Sequence, residues 1–314
     1  MKKFFLLSFM YFMFLSCDDG DFIVTDFNFE NKNLSTCGTG ENRVLYNINN
    51  EGVFESIAFV FKEAALERLE EENSQVEIKL NSENEIIYRT FDSEVGENYF
   101  CNQIPPINPK VVQEYRSTTG GTVIITAVLN NENDHEADGV PSAEEGIDAN
   151  PPLDTDADGI PNYLDIDDDN DNVRTSVEIN TSQIKAENTA NNYPDTDADG
   201  TPNYLDADDD QDGTITRYED LDENGTPVND TNDENIPNYL NPEIVDSFTV
   251  DELLSNSFSR SFRFDVNIFN LTLQRQGGEG EQIRLDEYYL GYFDSEPEMV
   301  TLPETEETGG QTGN

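Results

Sequence analysis

Asp154, Asp156 and Asp158 precede Gly159, and the same spacing returns at Asp195, Asp197, Asp199 and Gly200. Alternate acids ahead of a glycine gather oxygens around one point, which is the chemistry of cation binding. Calcium takes 6–8 oxygens, and a 12-residue loop supplies them from positions 1, 3, 5, 7 (a backbone carbonyl), 9 and 12, with glycine at 6 for the turn. Counted from Asp154, those positions hold Asp154, Asp156, Asp158, the carbonyl of Ile160, Asn162 and Asp165. Counted from Asp195, they hold Asp195, Asp197, Asp199, the carbonyl of Thr201, Asn203 and Asp206. A second loop follows each after one residue. Asp167, Asp169, Asp171, Val173, Thr175 and Glu178 form the first, with Asn172 in the glycine slot. Asp208, Asp210, Asp212, Thr214, Thr216 and Glu219 form the other, with Gly213 in place. Several bound Ca2+ ions are the expected cofactor.

Weaker copies flank these four loops. Asp134, Glu136, Asp138 and Glu145 keep the acids and Gly139. Asp220, Asp222 and Asn224 open a loop that has Thr231 where its last carboxylate belongs. Asp230 opens another that ends on Asn241. Internal repetition of this kind sets architecture first, so residues 131–242 are expected to form one repeat arm.

The paired loops, with their Ile160-Pro161-Asn162-Tyr163-Leu164 and Thr201-Pro202-Asn203-Tyr204-Leu205 tails, resemble the thrombospondin type 3 calcium repeat of Bacteroidota surface lipoproteins. The resemblance covers about a third of the chain and implies a wound, helix-poor segment whose core is its ions. Ala157 and Ala198 depart from the family at positions that carry no ligand, and Asn172 departs at a glycine. Pro161, Pro202 and Pro237 oppose a helix starting directly at position 8. The competing reading is a disordered acidic spacer. Residues 131–242 hold 32 Asp and Glu against 3 Lys and Arg, and such a segment repels itself unless counter-ions intervene. Simple disorder gives no reason for the acids, glycines and prolines to keep a common register.

The formal charge of −50, with no Trp and one His, argues against nucleic acid as a partner and against electrostatic docking to anionic membranes. Met1-Lys2-Lys3 and the apolar run to Leu15 read as a signal peptide over residues 1–16, too short to span a membrane. Leu15-Ser16-Cys17 resembles a lipoprotein cleavage box, which implies an acylated Cys17 and an outer-membrane lipid anchor. The acidic cluster Asp18-Asp19-Gly20-Asp21 resembles the surface-export signal of Bacteroidota lipoproteins and implies a chain facing the cell exterior. Cys37 and Cys101 are then an even pair in an oxidising compartment, expected as a disulfide; two free thiols are the alternative.

Two β regions flank the arm. In residues 17–130, Ile23/Thr25/Phe27/Phe29, Val44/Tyr46/Ile48, Val76/Ile78/Leu80, Ile86/Tyr88/Thr90 and Val123/Ile125/Ala127/Leu129 alternate with period two, the strand signature. The fold class expected is mainly β, an antiparallel sandwich of immunoglobulin-like layout. Residues 62–72 favour a short helix. Tyr88, Tyr99, Phe100 and Tyr115 are read as core first and as contact aromatics second. Residues 243–302 form a small carboxy-terminal β segment that either stands alone or completes the first sheet, with a bulge at Ile268-Phe269. Residues 303–314 read as a disordered tail.

No nucleophile, zinc or phosphate-loop motif assembles, so the chain is expected not to be an enzyme. Nor is there the prolyl isomerase pattern that accompanies similar repeats in some lipoproteins. The main functional expectation is a calcium-stiffened arm spacing β domains for adhesion or ligand binding, toward an unknown extracellular ligand or envelope protein. A structural component of an outer-membrane complex is the alternative, and an uncharacterised hydrolase a second one.

Overall fold

The computed structural model describes residues 29–303, apart from 30, 40, 63, 65, 67, 68, 70–72, 181–188, 233, 234, 251 and 279. Cys17, the leader, most of residues 62–72 and all but the first residue of the 303–314 tail lie outside the described residues. In chain order the strands are β1 (Ser35–Thr39), β2 (Asn42–Asn49), β3 (Glu55–Lys62), β4 (Gln75–Lys79), β5 (Glu85–Phe91), β6 (Val111–Ser117), β7 (Thr122–Leu129), β8 (Thr189–Ala190), β9 (Tyr193–Pro194), β10 (Ser257–Arg260), β11 (Phe262–Arg275), β12 (Gln282–Asp294) and β13 (Glu298–Thr301). Two one-turn helices, α1 (Asn98–Cys101) and α2 (Thr175–Glu178), accompany them. The chain forms two units. One holds the described residues up to Val128 together with Arg263–Asp294; the other holds Leu129–Phe262 and the described residues from Ser295 on.

The first unit is the expected antiparallel sandwich. Its strands run in the order β1-β2-β3-β5-β6-β11-β7-β4, with β12 beside β11. The carboxy-terminal segment is therefore shared: β11 and β12 complete the amino-terminal sheet, while β10 pairs with β13 in the other unit. The Tyr292 N–H donates to the Lys32 carbonyl at 2.8 Å, and the Leu34 N–H donates to the Tyr292 carbonyl at 2.6 Å. These bonds bring β12 against the segment that leads into β1, so the sheet curls back on itself. A Cβ on Gly291 would collide with the Lys32 carbonyl, so this closure requires glycine.

β3 shows no polar alternation because both of its faces are covered. Ile57, Phe59 and Phe61 point to one face and are fully buried, with the two Phe rings stacked at 4.5 Å. Ala58 and Val60 point to the other face. There they join Val44, Tyr46, Phe91, Val95, Tyr99 and Phe100. α1 lies over that cluster, and the Cys37–Cys101 disulfide ties it to β1. Tyr46 stacks on Phe100 at 4.3 Å. Tyr88, Tyr99, Phe100 and Tyr115 are all buried, which removes the contact-aromatic reading and leaves the core one.

β11 changes phase as its sequence suggests, but not at the bulge expected at Ile268-Phe269. The ladder to β12 shifts register between Val266 and Asn267. The side-chain slip is absorbed by Asn270, whose φ of 53° lets Ile268 and Leu271 both face inward.

Across β5 and β6, Glu114 accepts from Arg89 Nε and Arg116 Nε, both at 2.7 Å, and Arg116 also reaches Glu85 at 2.7 Å. Burial pushes the Glu114 carboxyl up, but bonds from Arg116 and Arg89 outweigh it and hold the group below its usual value. A depressed carboxylate contributes stability above its unfolded pKa and loses it as pH falls through the folded one. Glu114→Gln is therefore expected to cost about 1–2 kcal/mol at neutral pH. Denaturant titration of both proteins should show the difference fading below about pH 4.

Candidate metal centre

The acidic loops of the second unit share one backbone design. Position 4 has positive φ in Ala137, Ala157, Asn170, Ala198, Gln211 and Glu223, and position 6 does so in Gly139, Gly159, Asn172, Gly200, Gly213 and Gly225. This tandem left-handed geometry turns the chain inward around its acids. The position-5 carboxylate accepts the position-7 N–H in each strong loop: Asp158 from Ile160 at 2.6 Å, Asp171 from Val173 at 2.7 Å, Asp199 from Thr201 at 2.7 Å and Asp212 from Thr214 at 2.6 Å. Asp138 does the same for Val140 at 2.7 Å. Position 1 holds the turn from the other side. Asp167 accepts from Asp171 and Asn172, and Asp134 from Asp138 and Gly139.

Ala157 and Ala198 are thus not neutral departures, since they sit at φ 64° and 63°. An L side chain in that region costs roughly 1–2 kcal/mol. Ala157→Gly with Ala198→Gly is expected to stabilise the unit by about 0.5–1 kcal/mol per site after the added chain entropy. Equilibrium unfolding in calcium reads this directly, and a loss of stability would contradict it.

One-turn 3-10 helices run over Asn162–Leu164, Asn203–Leu205 and Asn238–Leu240, each directly after its proline. Each proline stands at the N-cap with non-helical ψ of 141–151°, so the turn starts one residue after position 8. Asn162 bonds Thr155 through both ends of its amide and also donates to Asp168 at 3.1 Å. Asn203 bonds Thr196 in the same way. Thr175 accepts from the Asp168 N–H and Thr216 from the Asp209 N–H. Position 9 therefore braces each loop across to position 2.

The remaining oxygens converge. Ligand atoms of Asp134/Glu136/Asp138, Asp154/Asp156/Asp158, Asp167/Asp169/Asp171 and Asp195/Asp197/Asp199 each lie within 4.8 Å of one another. The position-12 residues Glu145, Glu178 and Glu219 are buried, and both oxygens of each lack a hydrogen-bond partner among the described residues. The same holds for Glu136 and Asp169. The Asp134 loop, weaker by sequence, is as enclosed as the others. Asp206 and Asp208 add acids between the later loops, and the Asp208 N–H donates to the Asp206 carboxylate at 3.2 Å. Asp220 holds the Asn224 and Gly225 N–H groups, and Asp222 also accepts from Asn224. Asp230 turns back to accept from Leu221 at 2.7 Å.

Burial, and after it mutual repulsion, pushes these carboxyls up: Glu136 to about 11, Glu145 to about 9, Asp165 to about 8 and Asp210 to about 7. Asp169, Asp171 and Glu178 go well above the usual carboxylate range for the same reasons. A raised carboxyl stabilises the fold below its unfolded pKa and loses that contribution as pH rises through the folded one. Near neutral pH the unit must therefore take up protons or positive charge. Lys and Arg are too few there to supply it. Buried, oxygen-only, acid-rich and unpaired, the residues fit a hard divalent cation.

Part of the unit is apolar after all. Val173, Tyr239 and Leu240 pack together with Val177, Val228 and Ile236 against them. Asn172, in its glycine slot, uses its side chain to donate to the Glu252 carbonyl at 3.0 Å and accept from Leu254 at 3.1 Å. Nothing in the repeat pattern announces that role.

A family model described as BamM C-terminal matches residues 128–194, a span that takes in the loops opening at Asp134, Asp154 and Asp167. No curated protein and no solved structure matches the chain.

Proposed function

We propose that this chain is a structural component of an outer-membrane assembly complex, with its acidic unit ordered by divalent cations. The observation that carries the reading is the BamM C-terminal match, BamM being an outer-membrane assembly component. The matched residues fall on the cation loops rather than on the sandwich. That favours a scaffold role over the adhesion reading, and over catalysis. Calcium is the cation the donor set suits best. If each site binds at about 10⁻⁴ M, millimolar calcium stabilises it by roughly 1.4 kcal/mol. Cys17 would supply the lipid anchor, as in the surface lipoproteins with thrombospondin type 3 repeats that the loops resemble. Among the described residues no helix is long and apolar enough to cross a membrane.

The test is purification of the tagged chain from detergent-solubilised outer membranes in millimolar calcium, followed by mass spectrometry. Outer-membrane assembly proteins should co-purify in fixed ratio. A chain recovered alone, or only with unrelated partners, overturns the proposal.

A further inference from the structure

Two buried acids remain outside the 12-residue ligand positions. Asp168 and Asp209 stand at position 2, where the loops opening at Asp154 and Asp195 carry Thr155 and Thr196. Both are buried, at 1% and 2% exposed. Among the described residues Asp209 has no hydrogen-bond partner at either oxygen, and Asp168 has none at Oδ1. Neither faces its own loop alone. An oxygen of Asp209 lies within 4.8 Å of oxygens of Asp171 and Glu178, which belong to the Asp167 loop. Asp168 is held by the Asn162 amide of the Asp154 loop at 3.1 Å. The reach of Asp209 is two loops upstream.

We propose that the Asp167 loop completes its cation site with the Asp209 carboxylate. This rests on the cation reading above and adds to it the composition of one site and its linkage to a second loop. The site is complete only when the Asp208 loop is folded, so binding at one loop favours order at the other. The signal was present in the sequence as the triplet Asp208-Asp209-Asp210. Only the fold shows that its middle acid reaches another loop.

The experiment is calcium calorimetry on the full chain, comparing wild type, Asp209→Asn, Asp171→Asn, Asp212→Asn and the two pairs with Asp209→Asn. Asp209→Asn is expected to weaken one calcium by roughly tenfold or more. On the Asp171→Asn background it should cost nothing further, and on the Asp212→Asn background it should cost its full amount. Unaltered binding in Asp209→Asn, or coupling to Asp212 in place of Asp171, overturns the proposal while leaving the cation reading intact. A wild-type chain that takes up no calcium overturns both. Should Asp209→Asn misfold by circular dichroism, Asp209→Glu is the second test, with weaker binding of the same calcium expected and unaltered binding decisive against.

Discussion

Chelation of divalent cations at neutral pH is expected to unfold the acidic unit while the sandwich keeps its own thermal transition. The acids at the loop centres are buried, close together and only partly bonded to backbone. Ionised and without counter-charge, each costs several kcal/mol to keep out of water, and a marginal fold cannot absorb several such costs. Limited proteolysis with chelator present should therefore cut within residues 129–262 and spare the sandwich. Acid should partly substitute for the metal. Because the folded carboxyls titrate above their unfolded values, a chelated chain near pH 5 should be more compact than one near pH 8. A chelated chain that resists protease at both pH values would contradict this.

Loss of the Cys37–Cys101 bridge has the second large effect, and it falls on the sandwich. The bond closes a loop of 64 residues in sequence separation, worth about 4 kcal/mol in the chain-entropy model. It also pins α1 over the cluster that contains Tyr46, Tyr99 and Phe100. Cys37→Ala with Cys101→Ala is expected to lower sandwich stability by about that amount, seen as a drop in its denaturant midpoint. Calcium binding by the acidic unit should be unchanged. A midpoint within error of wild type would show that packing alone holds α1 in place.

Much of this was legible in sequence where a physical constraint forces a period. Loops that turn inward around their acids need those acids at fixed spacing and a residue tolerant of positive φ, so Asp158-Gly159 and Asp199-Gly200 reveal themselves. Val123, Ile125, Ala127 and Leu129 alternate because β7 buries one face, and its burial alternates to match. β3 escaped because it is covered on both faces, which erases alternation. β6 escaped because Val111 and Val112 are exposed while Tyr115 is buried, so its apolar residues do not mark a face. Asn172 reads as a worn glycine until its bonds to Glu252 and Leu254 are seen. Those contacts, like the reach of Asp209 toward Glu178, depend on residues far apart in the chain, which no local pattern encodes.

The most direct test of the central proposal is recovery of the tagged chain from outer membranes in calcium, followed by elution with chelator alone. A scaffold whose cation-ordered unit carries the contacts should release its outer-membrane assembly partners when chelator is added, while the tagged chain stays on the resin. Partners that remain bound after chelation would show that the acidic unit does not hold them, and partners never recovered would refute the scaffold role itself.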